Sequence, residues 1–231
     1  MNDNSLSLSQ SEISQRTFLS AVYFWMSAGL IMTGIVAAWT ASNPNFLMTI
    51  MRNPVLLIVL VVAQLGIVFW LSAAIAKISA STAIFGFGVY AMLNGILLSS
   101  IFLIYTSVSI ATTFFITAGT FAAVSLYGYV TKTDLSSVGN IAFMALIGLI
   151  IASLVNMFFA NPILYWGITY VGVLIFVGLT AYDTQKLKMI HARGFDSHES
   201  LQKMALLGAL ALYLDFINLF LMLLRIFGRR R

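Results

Sequence analysis

From Ile78 to Thr131 the chain reads ISASTAIFGFGVYAMLNGILLSSIFLIYTSVSIATTFFITAGTFAAVSLYGYVT, 54 residues without an Asp, Glu, Lys or Arg. A soluble domain carries charge on about a quarter of its positions, so a stretch of this length has no water-facing surface to offer. A helix crosses the hydrocarbon core with roughly 20 apolar residues. The stretch therefore holds two spans, breaking near Tyr105-Thr106-Ser107. Transmembrane strands would alternate over about ten residues, and this run is continuously apolar.

Working outward, residues 17–51, 53–76 and 135–182 are also free of charge, and the same division predicts spans at about 18–40, 54–76, 82–104, 108–130, 138–160, 162–182 and 204–227. Ala41-Ser42-Asn43-Pro44-Asn45 ends the first, Pro54 opens the second where a missing N–H costs nothing, and Asn161-Pro162 turns the fifth into the sixth. A polar stretch from Asp183 to Lys203 precedes the seventh, which carries Asp215 at its middle. Of the 231 residues, 61% are hydrophobic and 8% charged, so the fold class is all-α, a polytopic integral membrane bundle of seven helices in one transmembrane domain over 17–231. Trp39, Trp70, Tyr105, Tyr127, Tyr129, Tyr165, Trp166 and Tyr182 fall near span ends, as an interfacial aromatic belt requires. Residues 1–16 form a polar N-terminal tail with Asp3 and Glu12 and no basic n-region, which reads as a disordered or surface segment rather than a secretory signal. The absence of cysteine excludes disulfides and thiolate chemistry.

Lys and Arg in short loops set the orientation. With a cytoplasmic N-terminus the inside holds Arg16, Lys77, Lys132, Lys186, Lys188, Arg193 and Lys203, against Arg52 alone outside before the seventh segment. Arg225, Arg229, Arg230 and Arg231 oppose this bias if the seventh segment spans, and agree with it if that segment dips in and returns. Both readings stay open, with the C-terminus placed outside. The net charge of +5 needs no nucleic-acid partner, since an anionic inner leaflet attracts such residues.

Ionisable groups inside a span cost about 2.5–3.5 kcal/mol on insertion scales, which makes each a functional candidate. Asp215, flanked by ALALYL and FINLF with no cation within a turn, is the strongest, and Asn218 shares its face at i+3. Asp183, at the end of the sixth span, is either a second such group or an interfacial carboxylate facing water. Gln64, Asn94 and Asn156 are mid-span polar groups that hold helices together or line a path. The two histidines, His191 and His198, lie in the polar loop, so a buried nucleophile has no base. No H-E-x-x-H motif and no mid-helix lysine for a Schiff base are present, and the loop cluster Asp196, His198, Glu199 is the kind that is normally solvated. An enzyme and a bound cofactor are not expected. Channels, transporters and regulatory membrane proteins remain.

Three segments carry a resemblance: SLYGYVTKTDLSS from Ser125, GLTAYDTQKLK from Gly178, and ALYLDFINLF from Ala211. Together they resemble the Bax inhibitor family of transmembrane proteins in its bacterial branch, over about residue 17 to the C-terminus. The resemblance implies a bundle whose last helix is central, and an inner-membrane location with calcium ions as the permeating species. It also implies that Asp183 and Asp215 form a pH-sensitive pair governing a calcium leak. One departure is visible in the second span, where the family often has a glutamate and, further on, an arginine. This chain has Ala63-Gln64-Leu65-Gly66 and Ser72-Ala73-Ala74.

The chemistry of such a pair is plain. Two carboxyls in a dry interior cannot both ionise cheaply, so they share a proton. When both are charged they make a weak calcium site, since calcium takes about six to eight oxygens and other donors such as Asn218 must contribute. A leak path needs weak binding, because an ion held tightly does not leave. The rival is a non-conducting regulator of a membrane protein partner, such as a membrane-bound protease or a stress-survival pathway.

Overall fold

A computed structural model describes residues 3–192 and 197–231, with side chains from residue 17 onward. Arg193 and Asp196 of the polar loop lie outside the described residues. In chain order the described helices are α1 (Asp3–Ala41), α2 (Pro44–Arg52), α3 (Pro54–Ala74), α4 (Ala80–Leu98), α5 (Ile101–Ile104), α6 (Ser107–Val130), α7 (Ser136–Phe159), α8 (Pro162–Ala192) and α9 (His198–Phe227). Seven stretches among them are long and apolar enough to cross a membrane, the first beginning at Thr17 and the third joining α4 to α5.

The loops supply the caps that helix ends lack. Asn53 Oδ1 accepts from the Leu56 N–H at 3.2 Å, Ser79 Oγ from Thr82 at 3.2 Å and Thr106 Oγ1 from Ser109 at 3.3 Å. Asn161 Oδ1 accepts from Ile163 at 2.8 Å and from Leu164 at 3.3 Å. Between α6 and α7, Asp134 Oδ1 accepts from the Ser136 N–H at 2.9 Å, a bond that holds its carboxyl below the usual range. Short polar connections therefore do structural work that water does for soluble helices.

Three differences from the sequence reading have physical reasons. The nine residues of α2 form a helix of their own, with Leu47 and Ile50 buried and Phe46 and Met48 exposed, a two-faced segment too short to register as a span. The helix of the sixth span continues past Tyr182 to Ala192, and that of the seventh begins at His198 instead of Met204. Charged side chains at Asp183, Lys186, Lys188, Glu199 and Lys203 made those turns look like loop, although a helix leaving the hydrocarbon accepts such residues readily. Finally, α9 is unbroken over 30 residues, about 45 Å at the standard rise, so it does not dip in and return.

Pairing of helix ends agrees with seven crossings. Lys203 Nζ donates to the Ile78 carbonyl at 2.9 Å, and Gln185 holds Leu135 N and Thr133 O, each at 2.8 Å. At the opposite ends, the Thr106 N–H donates to Arg229 O at 3.1 Å and Arg229 N to Ser109 Oγ at 3.0 Å. Arg225 lies 5.2 Å over the Tyr165 ring. Every one of these contacts joins ends that seven full spans place on a common side.

Two compact units divide the chain. The first comprises Met1–Ile104 with Lys188–Tyr213, the second Tyr105–Leu187 with Leu214–Arg231. In the first, α1 and α4 press backbone to backbone, and a Cβ on Gly95 would meet the Thr33 carbonyl at 2.7 Å. In the second, Gly128 of α6 meets the Ala181 carbonyl of α8 so closely that no side chain fits there. Over its apolar window α9 is 72% buried, against 39% for α8 and 6% for α3, which identifies α9 as the core helix and α3 as a lipid-facing one.

Candidate functional site

The second unit brings Asp183 and Asp215 together. The side chain of Met222 on α9 closes on Gly172 of α8, where a Cβ would lie 3.0 Å from its sulfur. Seven residues on from Gly172 is Leu179, and seven back from Met222 is Asp215, so antiparallel packing puts these two level. Asp183 lies four residues further along α8, about 6 Å along the axis, and two short side chains close that offset. The carboxylates interact electrostatically. Leu179, Leu219, Met222 and Leu223 form part of the apolar cluster beside them.

The two aspartates have different surroundings. Asp215 is 5% exposed, and its Oδ2 has no hydrogen-bond partner among the described residues. Asp183 is half-buried and has Lys186 as its electrostatic neighbour one turn on. That lysine lies over the Tyr182 ring at 5.8 Å, and Tyr182 in turn covers Gly139 of α7. An unpaired buried carboxylate is costly in a dry interior, and a carboxylate beside an exposed lysine is less so.

The other polar residues singled out from the sequence divide among several places. Asn218 stays on the α9 face of Asp215, but its Nδ2 donates to the Leu214 carbonyl at 2.8 Å, one turn back on its own helix. Asn94 belongs to the first unit, where its Nδ2 donates to Tyr213 Oη at 2.7 Å. There it ties α4 to α9. Gln64 also belongs to that unit, half-buried on α3, and its Nε2 has no partner among the described residues. Asn156 is not mid-span in effect. It stands near the end of α7, where its Oδ1 accepts from the Asn161 N–H at 2.9 Å and steadies Ala160, whose φ of 47° is a left-handed conformation that alanine rarely takes.

Three residues of consequence escaped the sequence reading although each lies within a quoted motif. Gln185 pins the α6 to α7 connection through both atoms of its amide. Tyr213 accepts from Asn94 and bonds Thr33 Oγ1 at 2.7 Å, while Thr33 also donates to the Ala91 carbonyl at 2.9 Å. Ser125 is 4% exposed, and its hydroxyl has no partner among the described residues. Among the described residues no three His, Asp, Glu or Cys side chains gather as a metal site, so a cation at the pair would draw its remaining oxygens from neutral groups and water.

Known proteins resemble this chain along almost its whole length. It is 52% identical over 227 residues to inner membrane protein YbhL of Escherichia coli K12, with 97% of each chain covered. An uncharacterized protein of Borreliella burgdorferi is 47% identical over 214 residues, covering 93% of this chain and 92% of its own. The uncharacterized membrane protein SpyM3_0260 of Streptococcus pyogenes is 34% identical over 231 residues, with 99% of each covered. Residues 15–231 match the family described as inhibitor of apoptosis-promoting Bax1, and with this match and its 52% identity to an inner membrane protein the chain belongs to the Bax inhibitor family.

Proposed function

We propose that this membrane protein is a pH-sensitive calcium leak channel whose switch is the pair Asp183 and Asp215. The single observation that carries the reading is the orphaned Oδ2 of Asp215, buried and within electrostatic range of a second carboxylate. Nothing in bundle architecture calls for a second acid beside a buried one, and a structural carboxyl would have hydrogen-bonding partners. The pair shares a proton in one state and presents acceptor oxygens to a hard cation in the other. Two carboxylates with few other fixed donors bind such a cation weakly, which suits passage.

The experiment is flux. Purified protein in liposomes loaded with a calcium dye should pass calcium, with a rate that changes as the external pH is varied. A protein that inserts normally and passes no ion at any pH favours the rival reading, a non-conducting regulator of a membrane protein partner. Orientation belongs to the same proposal: the N-terminus in the cytoplasm and, with α9 a full span, the C-terminus outside. A reporter active only in the cytoplasm should therefore be silent when fused after Arg231, and a bright fusion would overturn that placement.

A further inference from the structure

Buried hydroxyls in membrane helices have a default partner, the carbonyl one turn back. This protein follows the rule on three helices of its second unit. Thr117 donates to the Thr113 carbonyl at 2.8 Å, Ser153 to Leu149 at 2.7 Å, Thr169 to Tyr165 at 2.8 Å, Thr180 to Phe176 at 2.7 Å and Thr184 to Thr180 at 2.8 Å. Ser125 breaks it. Its Oγ is buried, the Phe121 carbonyl stands one turn behind it, and it bonds neither that carbonyl nor any other described group.

Position gives the exception a meaning. Phe121, Ser125 and Gly128 recur at i, i+4 and i+7 and so share one face of α6. Phe121 packs edge-on to Phe216 of α9 with ring centroids 5.4 Å apart, and Gly128 abuts the Ala181 carbonyl of α8. Ser125 therefore faces the groove between α8 and α9, the helices that carry the two aspartates. The Gly128 contact sets Ser125 level with about residue 178 of α8, since α6 and α8 run parallel. Asp215 is level with Leu179, and Asp183 lies about 8 Å further along the axis from Ser125, counted at the standard rise per residue. Ser125 and Asp215 thus stand at nearly one level of the groove, with Asp183 further along it, and Ser125 Oγ and Asp215 Oδ2 are both buried oxygens without a hydrogen-bond partner among the described residues.

We propose that Ser125 is the third fixed oxygen of the cation site, its hydroxyl joining the carboxylates of Asp183 and Asp215 around a divalent cation of calcium's class. The inference rests on the leak-channel reading and extends it from a pair to a three-residue site on α6, α8 and α9. A hydroxyl adds an oxygen ligand without adding charge, so it shapes the site for a hard cation while keeping the binding weak. It also brings α6, which packs on α9 through Phe121 and on α8 through Gly128, into direct touch with the ion.

The test is calcium titration of the purified full-length chain by calorimetry, repeated across the pH range from acid to alkaline. Ser125→Ala should weaken calcium binding about three- to tenfold, the effect of a neutral polar contact, with an unchanged melting temperature in calcium-free buffer. Asp215→Asn should abolish binding. Should Ser125→Ala unfold the protein, Ser125→Thr against Ser125→Val decides, because the two are nearly isosteric and differ in the hydroxyl. Threonine should then bind more tightly than valine. Loss of binding in Asp215→Asn with wild-type affinity in Ser125→Ala, or in both the threonine and valine variants, overturns the role of Ser125 and leaves the pair standing. Absence of calcium binding in the wild type, or undiminished binding in Asp215→Asn, overturns the cation-site reading and Ser125 with it.

Discussion

Two positions of α9 separate Tyr213 from Asp215, and the polar centres they enter are built on opposite principles. In the first unit Tyr213 Oη meets Asn94 and Thr33, and Thr33 reaches on to the Ala91 carbonyl. Phe87 and Tyr90 stand edge-on to the Tyr213 ring, with centroids 5.7 and 5.6 Å away. Every group is neutral and every one has a partner. In the second unit the groups are two carboxylates and a serine, and two of the buried oxygens have no partner among the described residues. The first arrangement is what a bilayer demands of a polar contact that serves only to hold helices together. The second persists at a cost in stability, and polar groups of that kind mark function in membrane proteins.

The contrast can be broken most severely at the aspartates. Asp183→Asn and Asp215→Asn should each remove the pH-dependent component of calcium flux completely while leaving insertion intact, and the double variant should be little worse than either single one. Such non-additivity is the signature of residues acting as one unit. Additive, independent losses in that double-mutant cycle would return Asp183 to the part of an interfacial carboxylate.

A packing substitution should act on stability with less effect on the switch. Gly128→Ala drives a methyl group into the Ala181 carbonyl and should lower stability by about 1–3 kcal/mol, read as a fall in melting temperature in detergent. Gly66→Ala, on the lipid-facing α3 with nothing within 4 Å, is the matched control and should be neutral.

Tyr213→Phe sharpens the comparison from the other side. It leaves Asn94 Nδ2 without its acceptor and should cost about 1–2 kcal/mol, yet the pH response of flux should survive because no titrating group of the pair is touched. A flattened pH response in this variant would show that the two polar centres are one device. The smallest effect expected is at Gln64, where leucine replaces a buried amide nitrogen that has no partner among the described residues. Gln64→Leu should be neutral or stabilising by a few tenths of a kcal/mol in the same melting assay.

Much of this architecture was legible from the distribution of charge. Uncharged runs such as 78–131 leave no choice but membrane helices, and proline and asparagine mark where one ends and the next begins. What was hidden lay where polar side chains belong to helices. The last turns of α8 carry Asp183, Lys186 and Lys188 and so mimic loop, although Gln185 in their midst is fixing the connection at 133–135. Asp215 announces itself because nothing about it suits its neighbours. Ser125 does not, because serine in a span is unremarkable until its hydroxyl is found off its own helix. Asn94 and Asn156 looked alike in the sequence, and only coordinates separate an interhelical tie from the brace of a turn.

The burial of α9 bears on how the molecule is made. Both compact units draw on this helix, the first through Lys188–Tyr213 and the second through Leu214–Arg231. It is also the last of the seven spans to be synthesised. During biosynthesis the first six spans must therefore wait in the bilayer with Asn94 still lacking Tyr213 and Asp183 still lacking Asp215. A nascent chain stalled before His198 would present unsatisfied polar side chains to lipid or to neighbouring helices. Arrival of α9 closes both centres in one event, so maturation of this protein should be abrupt and late, with quality-control proteases finding their target in the six-span intermediate.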